Sequence, residues 1–335
     1  MDWENEFMRL YTSDVTTDFR KALELKREHI PTKLYRYRAL SDESMKYRFD
    51  EIVNGSLYLS HPKELNDPFE GCSHLGSSNP SDYMLGWKNN CAESFAEVIP
   101  AQKHKEIFSS EDWFDALVSY VAETTSKPGE VEKNKDALAK TTLFGMEELN
   151  AHLNETTRKI VRIACFSTTA TNLPMWNHYT DGHKGICLEY DTGEITNIYQ
   201  KNMLFPVCYV DKLPDVVSMM LCNTHPKFNL FEYIAMHKLS DWSYEHEWRL
   251  MHDIGSWYYS ADDVPDVFFA GGKSIQFIRP SRIIMGLQIS ASHRTEIEKM
   301  ATLAGIPLVQ ARQTEYGLDI SGATEYTSQR IGAYV

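Results

Sequence analysis

The chain has 335 residues, of which 42% are hydrophobic and 12% aromatic, a globular composition that excludes extensive disorder and allows one elaborated domain with a large core. A formal net charge of -13 excludes a broad cationic surface that would hold nucleic acid by phosphate neutralisation alone, while a local basic groove stays open. The cysteines (Cys72, Cys91, Cys165, Cys187, Cys208, Cys222) form no C-x-x-C pair and no zinc spacing, the acidic start carries no signal peptide, and no apolar run reaches membrane length, so a soluble cytoplasmic protein without structural metal is expected.

In chain order, residues 1–32 read as a helical lead-in with Phe7, Leu10, Tyr11, Phe19 and Leu23 at helical spacing and Pro31 as its stop, an accessory to the domain. Lys33 to Leu40 is strand-like. Ser41 to Ser44 offers a cap for a helix through Ile52 that Asn54-Gly55 ends, and Ser56 to Ser60 is a second strand. An Asx-Pro turn follows at Asn66-Asp67-Pro68-Phe69-Glu70-Gly71. A helical insertion covers about 80–159, with Trp87, Phe95, Ile107, Trp113, Phe114, Leu117 and Val121 as core candidates and a charged stretch, Glu123 to Lys140, broken by Pro128-Gly129 and expected as a mobile loop running into a solvated helix. Strands are then expected over Ile160 to Phe166, Gly185 to Tyr190, Met203 to Val210, Glu245 to Met251 and Arg282 to Gly286. Helices are expected around Phe231 to Leu239 and from a Ser292 cap to Ala304. The whole is an α+β domain over 33–320 with a mixed or antiparallel sheet, followed by a C-terminal tail over 321–335.

The segment most suggestive of chemistry is Tyr244-Glu245-His246-Glu247-Trp248-Arg249-Leu250. Strand alternation puts Glu245, Glu247 and Arg249 on one face and the bulky residues on the other, which suits either a pocket for a polar ligand or a salt-bridged, solvated sheet face. In Leu34-Tyr35-Arg36-Tyr37-Arg38 the paired guanidiniums of Arg36 and Arg38 suit a phosphate or stand on an exposed strand. Cys165-Phe166-Ser167-Thr168-Thr169 runs from an apolar strand into hydroxyls, as at a site mouth or in an ordinary turn. Met175-Trp176-Asn177-His178-Tyr179 offers aromatic platforms for a flat heterocycle, or packed core aromatics. His178 and His183 miss the i, i+4 spacing of a helical zinc pair and no third ligand is signalled, so no metal site is assigned. No G-x-S-x-G, phosphate-binding P-loop or G-x-G-x-x-G is present, and Gly271-Gly272-Lys273-Ser274 reads as a hairpin.

The order Tyr35-Arg36-Tyr37, Leu57-Tyr58-Leu59-Ser60, Asn66-Asp67-Pro68-Phe69-Glu70, Met175-Trp176-Asn177-His178-Tyr179 and Glu245-His246-Glu247-Trp248-Arg249 closely resembles a bacterial family of unknown function, over roughly 33–290. More distantly, the opening strand with its basic residue, the middle hydroxyl strand and the late Glu-x-Glu resemble ADP-ribosyltransferase folds. That resemblance implies NAD as substrate and a catalytic pair, Glu247 against the ribose and Glu245 toward the acceptor. It implies cofactor contacts from Arg36 or Arg38, Ser60, Ser167 and Thr168, and from Trp176 or Tyr179 on nicotinamide. It also implies a macromolecular acceptor (DNA, RNA or protein), the setting of a toxin or anti-phage defence effector, and an antitoxin or regulatory partner. Two other readings stay open: a non-catalytic nucleotide-binding sensor, and a metal-dependent nuclease built from Glu245, Glu247, His178 and His183.

Overall fold

Alternating tyrosine and arginine make Lys33–Arg38 (β1) a strand with two different faces, and that strand sits in the middle of the principal sheet. The computed structural model describes residues 3–78, 83, 85–222, 229–253 and 273–321. Further strands are Ser56–Leu59 (β2), Val161–Ser167 (β3), Ile186–Asp191 (β4), Leu204–Pro206 (β5), Cys208–Val210 (β6), His237–Leu239 (β7), Glu247–Asp253 (β8), Lys273–Gln276 (β9), Arg282–Met285 (β10) and Leu308–Gln310 (β11). Seven of them form a mixed sheet in the order β11-β10-β4-β1-β3-β8-β5, parallel only between β10 and β11. Separate short pairings join β2 to β9 and β6 to β7. This is the expected α+β class.

The sheet is covered on both faces. On one, Leu34, Phe166, Leu188, Trp248 and Leu250 pack against Ile52 and Ile297; on the other, Val161, Ile163 and Met251 pack against Phe7, Tyr11 and Ile234. The N-terminal segment is therefore built into the core. Its helices, Trp3–Tyr11 and Thr16–Glu28, fully bury Phe7, Tyr11 and Ala22, and Trp3 stacks on Trp248.

Three expectations about local structure are corrected. Glu123 to Lys140 does run into a helix, but the loop shrinks to 125–127: Pro128, expected to break the chain, occupies the first turn of the helix that runs to Ile160, a position where its missing N–H is harmless. Met203 to Val210 splits at Pro206 into β5 and β6, which join different sheets. The helix Ala291–Ala304 is capped by Ser290, whose side chain accepts from the His293 N–H, rather than by Ser292. In the insertion, Ile107, Trp113, Phe114 and Leu117 form a core of their own with Phe95 and Val121 packed on it. The start of the insertion at Pro80, the Trp87 side chain, Gly271-Gly272 and residues 322–335 of the tail lie outside the described residues.

Lys26 is fully buried, donates to the Asn202 carbonyl, and holds its ammonium 3.6 Å from the Phe205 ring centre. Burial pushes its pKa down to about 7, against the pull of Glu232. A folded value below the unfolded one means that protonation favours the unfolded chain: the cost is full below pH 7 and vanishes as pH passes the unfolded value of about 10.4. Lys26→Met should therefore raise the urea midpoint at pH 6–7, with the gain shrinking toward pH 10.5; no gain at pH 6 would mean that the Phe205 ring and Glu232 accommodate the charge in full.

Candidate active site

Glu245 and Glu247 come together by a route that alternation does not anticipate. Residues Ser240–Glu245 form a 3-10 turn, His246 takes a left-handed backbone conformation (φ 46°, ψ 55°), and the strand begins only at Glu247. Both carboxylates nonetheless face one cavity. The turn is held by Ser167 Oγ donating to the Glu245 carbonyl (2.7 Å), the Thr168 N–H donating to the His246 carbonyl (3.1 Å) and Tyr209 Oη accepting from the Glu247 N–H (2.9 Å). The carboxylates are 2% and 5% exposed, so each needs a partner.

Those partners form a continuous buried chain. Glu70 accepts two bonds from Arg249 (2.5 and 2.9 Å), and Arg249 in turn grips Glu247 through Nε and Nη2 (2.9 and 3.0 Å). Lys238 bridges Glu247 (3.3 Å) to Glu245 (2.6 Å), and Tyr179 Oη donates to the other Glu245 oxygen (2.5 Å) while lying 3.1 Å from Asn66 Oδ1. Against the cost of burial, Arg249 and Lys238 hold Glu247 down to about 2. Glu245 shifts the other way: burial and then the Glu247 charge push it above the usual carboxylate range. Burial, then Glu245, push the Tyr179 phenol far up, so it stays a donor. Two neighbouring carboxylates with pKa values driven apart are the arrangement in which one is an anchor and the other can move a proton.

The cavity measures about 350 Å³ and is bounded by β1, β3, the Leu65-Asn66 turn, Tyr179, Lys238, Glu245 and Glu247. It exists because β1 and β3 pair at one position, Tyr35 with Ser167, and then part, while Ser60 pairs with Ile163 instead. Away from the cavity, just before β4, Gly185 lets the chain close on the end of β1: a Cβ on it would lie 2.1 Å from the Arg38 carbonyl.

Of the residues selected from sequence, Arg36, Arg38, Ser60, Ser167, Tyr179, Glu245 and Glu247 all border this cavity. Thr168 does not; its side chain is exposed and its backbone secures the turn. Trp176 is also excluded as a platform, being fully buried with its indole N–H on the Ala170 carbonyl (2.7 Å) and its ring packed on Tyr37 and His183. The role of Arg36 is corrected by the sheet register. Tyr35, Ser167 and Glu247 stand opposite one another across three strands and so share a face, which puts Arg36 on the other face, over the Phe166 ring. There it binds Glu51 (2.9 Å) and the Tyr58 carbonyl (3.3 Å) and is only 4% exposed. By the same alternation the Arg38 side chain lies on that face too, with its Nε 3.2 Å from Glu51, and at 24% exposed it is the more accessible of the two guanidiniums.

Sequence reasoning missed Glu70, Lys238 and Asn66. Glu70 and Asn66 both lie in the Asn-Asp-Pro-Phe-Glu turn, whose charge was the available signal; Lys238 sits in a three-residue strand with no pattern to mark it. Among the described residues no group of His, Cys, Asp or Glu is arranged to hold a metal ion, and none of their helices is long and apolar enough to cross a membrane.

Fold and site together define an α+β protein with a buried ionic chain ending at an acid-walled cavity. Residues 175–250, which span Trp176, Tyr179, Lys238, Glu245, Glu247 and Arg249, match a family described as a protein of unknown function (DUF2971). No curated protein and no solved structure matches the chain.

Proposed function

We propose that this protein cleaves the nicotinamide–ribose bond of NAD and transfers the ADP-ribose to a macromolecule, with an ADP-ribosyltransferase-like reading of the parted sheet. The observation that carries the proposal is a carboxylate with a raised pKa, Glu245, on the wall of a cavity that it shares with Glu247, Ser167 and Tyr179 and that β1 borders at Arg38. In this reading the C1′–N bond breaks, its electron pair leaves with neutral nicotinamide, and Glu245 stabilises the oxocarbenium charge on the ribose. The acceptor hydroxyl or amine then attacks C1′ and gives its proton to Glu245. Tyr179 orients Glu245, and Glu247 positions Lys238 and Arg249 rather than touching substrate. The cations Lys238 and Arg249 fill the spaces between the carboxylates that a nuclease would give to metal, and His178 is exposed, away from the cavity wall. A toxin or anti-phage effector, restrained by a partner, is the setting that fits a macromolecular acceptor.

The test is incubation of the full chain with adenylate-labelled NAD and single-stranded DNA, RNA or bacterial protein. Nicotinamide release with label on one acceptor is expected. Saturable binding without product would replace the proposal with a nucleotide sensor, and chelator-sensitive cleavage of nucleic acid would replace it with a nuclease. Because Glu245 acts as an anion and its pKa is raised by burial, the rate should climb with pH along a limb lying above the ordinary carboxylate value of 4.5. A pH-independent rate between 5 and 8 would speak against proton transfer to Glu245.

A further inference from the structure

On the opposite face of β1 lies a second cavity, of about 360 Å³, that shares Arg38 with the first as a wall. Its floor is an uneven charge cluster: the single buried carboxylate of Glu51 accepts from Arg36 (2.9 Å), Arg38 (3.2 and 3.3 Å), Arg48 (2.6 Å) and Tyr190 Oη (3.1 Å). Against the cost of its own burial, the guanidiniums of Arg38, Arg36 and Arg48 hold Glu51 at about 2, so it stays an anion, yet it neutralises only one of them. The Nε atoms of Arg36 and Arg48 are buried and have no hydrogen-bond partner among the described residues. Burial and then the neighbouring Arg38 push Arg48 down to about 10, the sign of a cation crowded by others. A cluster of this kind is stabilised by an added anion.

The remaining walls have a different chemistry. Tyr47 is 60% and Tyr58 39% exposed, a pair of open rings at the cavity, and Asp50, bonded to Asn54 Nδ2 (3.0 Å), adds a carboxylate suited to sugar hydroxyls. Guanidiniums for phosphate, a carboxylate for ribose and tyrosines for a base are the parts of a nucleotide site, and the volume falls within the range of roughly 300–1,000 Å³ usual for small ligands.

We infer that the second cavity binds the adenosine diphosphate half of the dinucleotide, with its pyrophosphate at Arg38 and Arg48 and its adenine on Tyr47 or Tyr58. The inference rests on the NAD reading of the first cavity and deepens it, since Arg38 is the residue that borders both cavities. It assigns binding roles to Arg48, Asp50 and Tyr47, none of which the first cavity contains.

The experiment is calorimetric titration of the full chain with ADP-ribose, ADP, nicotinamide mononucleotide and a short single-stranded oligonucleotide, in wild type, Arg48→Gln and Tyr47→Ala. Both variants should weaken ADP-ribose and ADP at least tenfold and leave nicotinamide mononucleotide unchanged. Tyr47→Ala removes an exposed ring with no fold role and so serves where Arg48→Gln disturbs the Glu51 cluster. Unaltered ADP-ribose affinity in Tyr47→Ala and in folded Arg48→Gln overturns the inference, as does an oligonucleotide that binds through Arg48 while ADP-ribose does not bind. ADP-ribose binding that depends on Arg48 without any NAD turnover would end the catalytic reading and keep this site; turnover with an unchanged KM for NAD in both variants would do the reverse.

Discussion

Glu245→Gln should lower NAD cleavage and transfer by about 10³-fold while changing the melting temperature little. The glutamine keeps the shape of the side chain and can still accept from Tyr179 or Lys238, and Lys238 retains Glu247 at 3.3 Å, so no cation is stranded. What is lost is the negative charge facing the ribose and the site that takes the acceptor's proton. Glu247→Gln should behave differently. Both Glu247 oxygens are engaged by Arg249, and the pair is buried, so the neutral side chain weakens the ionic chain itself and lowers the melting temperature together with the rate. Parallel rate and stability measurements on the two variants separate the roles. Should Glu245→Gln retain activity within tenfold of wild type, Glu245 is not the reacting carboxylate.

That division of labour is absent from the sequence for a definite reason. Alternation in Glu245-His246-Glu247 places both acids on one face, and both do face one cavity, but through a left-handed residue at His246 rather than a continuous strand. Period-two reading sees charge order and is blind to a single positive φ. The same holds for β1. Its alternation separates Arg36 and Arg38 from the tyrosines, as the structure has it, yet which of these two faces looks toward Glu247 is fixed by the pairing of Tyr35 with Ser167 and of Ser167 with Glu247. Register is a property of three strands, and no one of them carries it alone. The core positions of β3, β4 and β10 were legible because long apolar runs leave little choice of element. The ionic chain was not, because Arg249 meets Glu70 across 179 residues and Lys238 lies in a short strand whose neighbours give no period. The family match over residues 175–250 covers the Glu245–Arg249 segment and leaves β1 and the Asn66–Glu70 turn outside it, so the two ends of the cavity are tied together by the fold.

Arg249→Met should be the most damaging single substitution in the molecule, costing about 3–5 kcal/mol and leaving little folded protein at 37 °C. Arg249 is completely buried and stands between Glu70 and Glu247, donating to both and to the Ala235 carbonyl. Its removal leaves two buried carboxylates face to face with Lys238 as the remaining cation, and Lys238 is already shared with Glu245. The cost lies in the stranded charges more than in the lost bonds. Replacing all three members together, as Glu70→Leu, Glu247→Leu and Arg249→Met, should therefore destabilise less than Arg249→Met alone, even though more native contacts are deleted. Urea denaturation of the two variants gives the ordering, and a triple variant weaker than the single one would mean that the ionic chain contributes net stability. Acid titration supplies a second check. Glu247 has its folded pKa near 2 and an unfolded value of about 4.3, so its contribution is full above the unfolded value and is lost as pH falls toward 2. Wild type should lose stability across that window, and the triple variant, which has no Glu247 to protonate, should lose less.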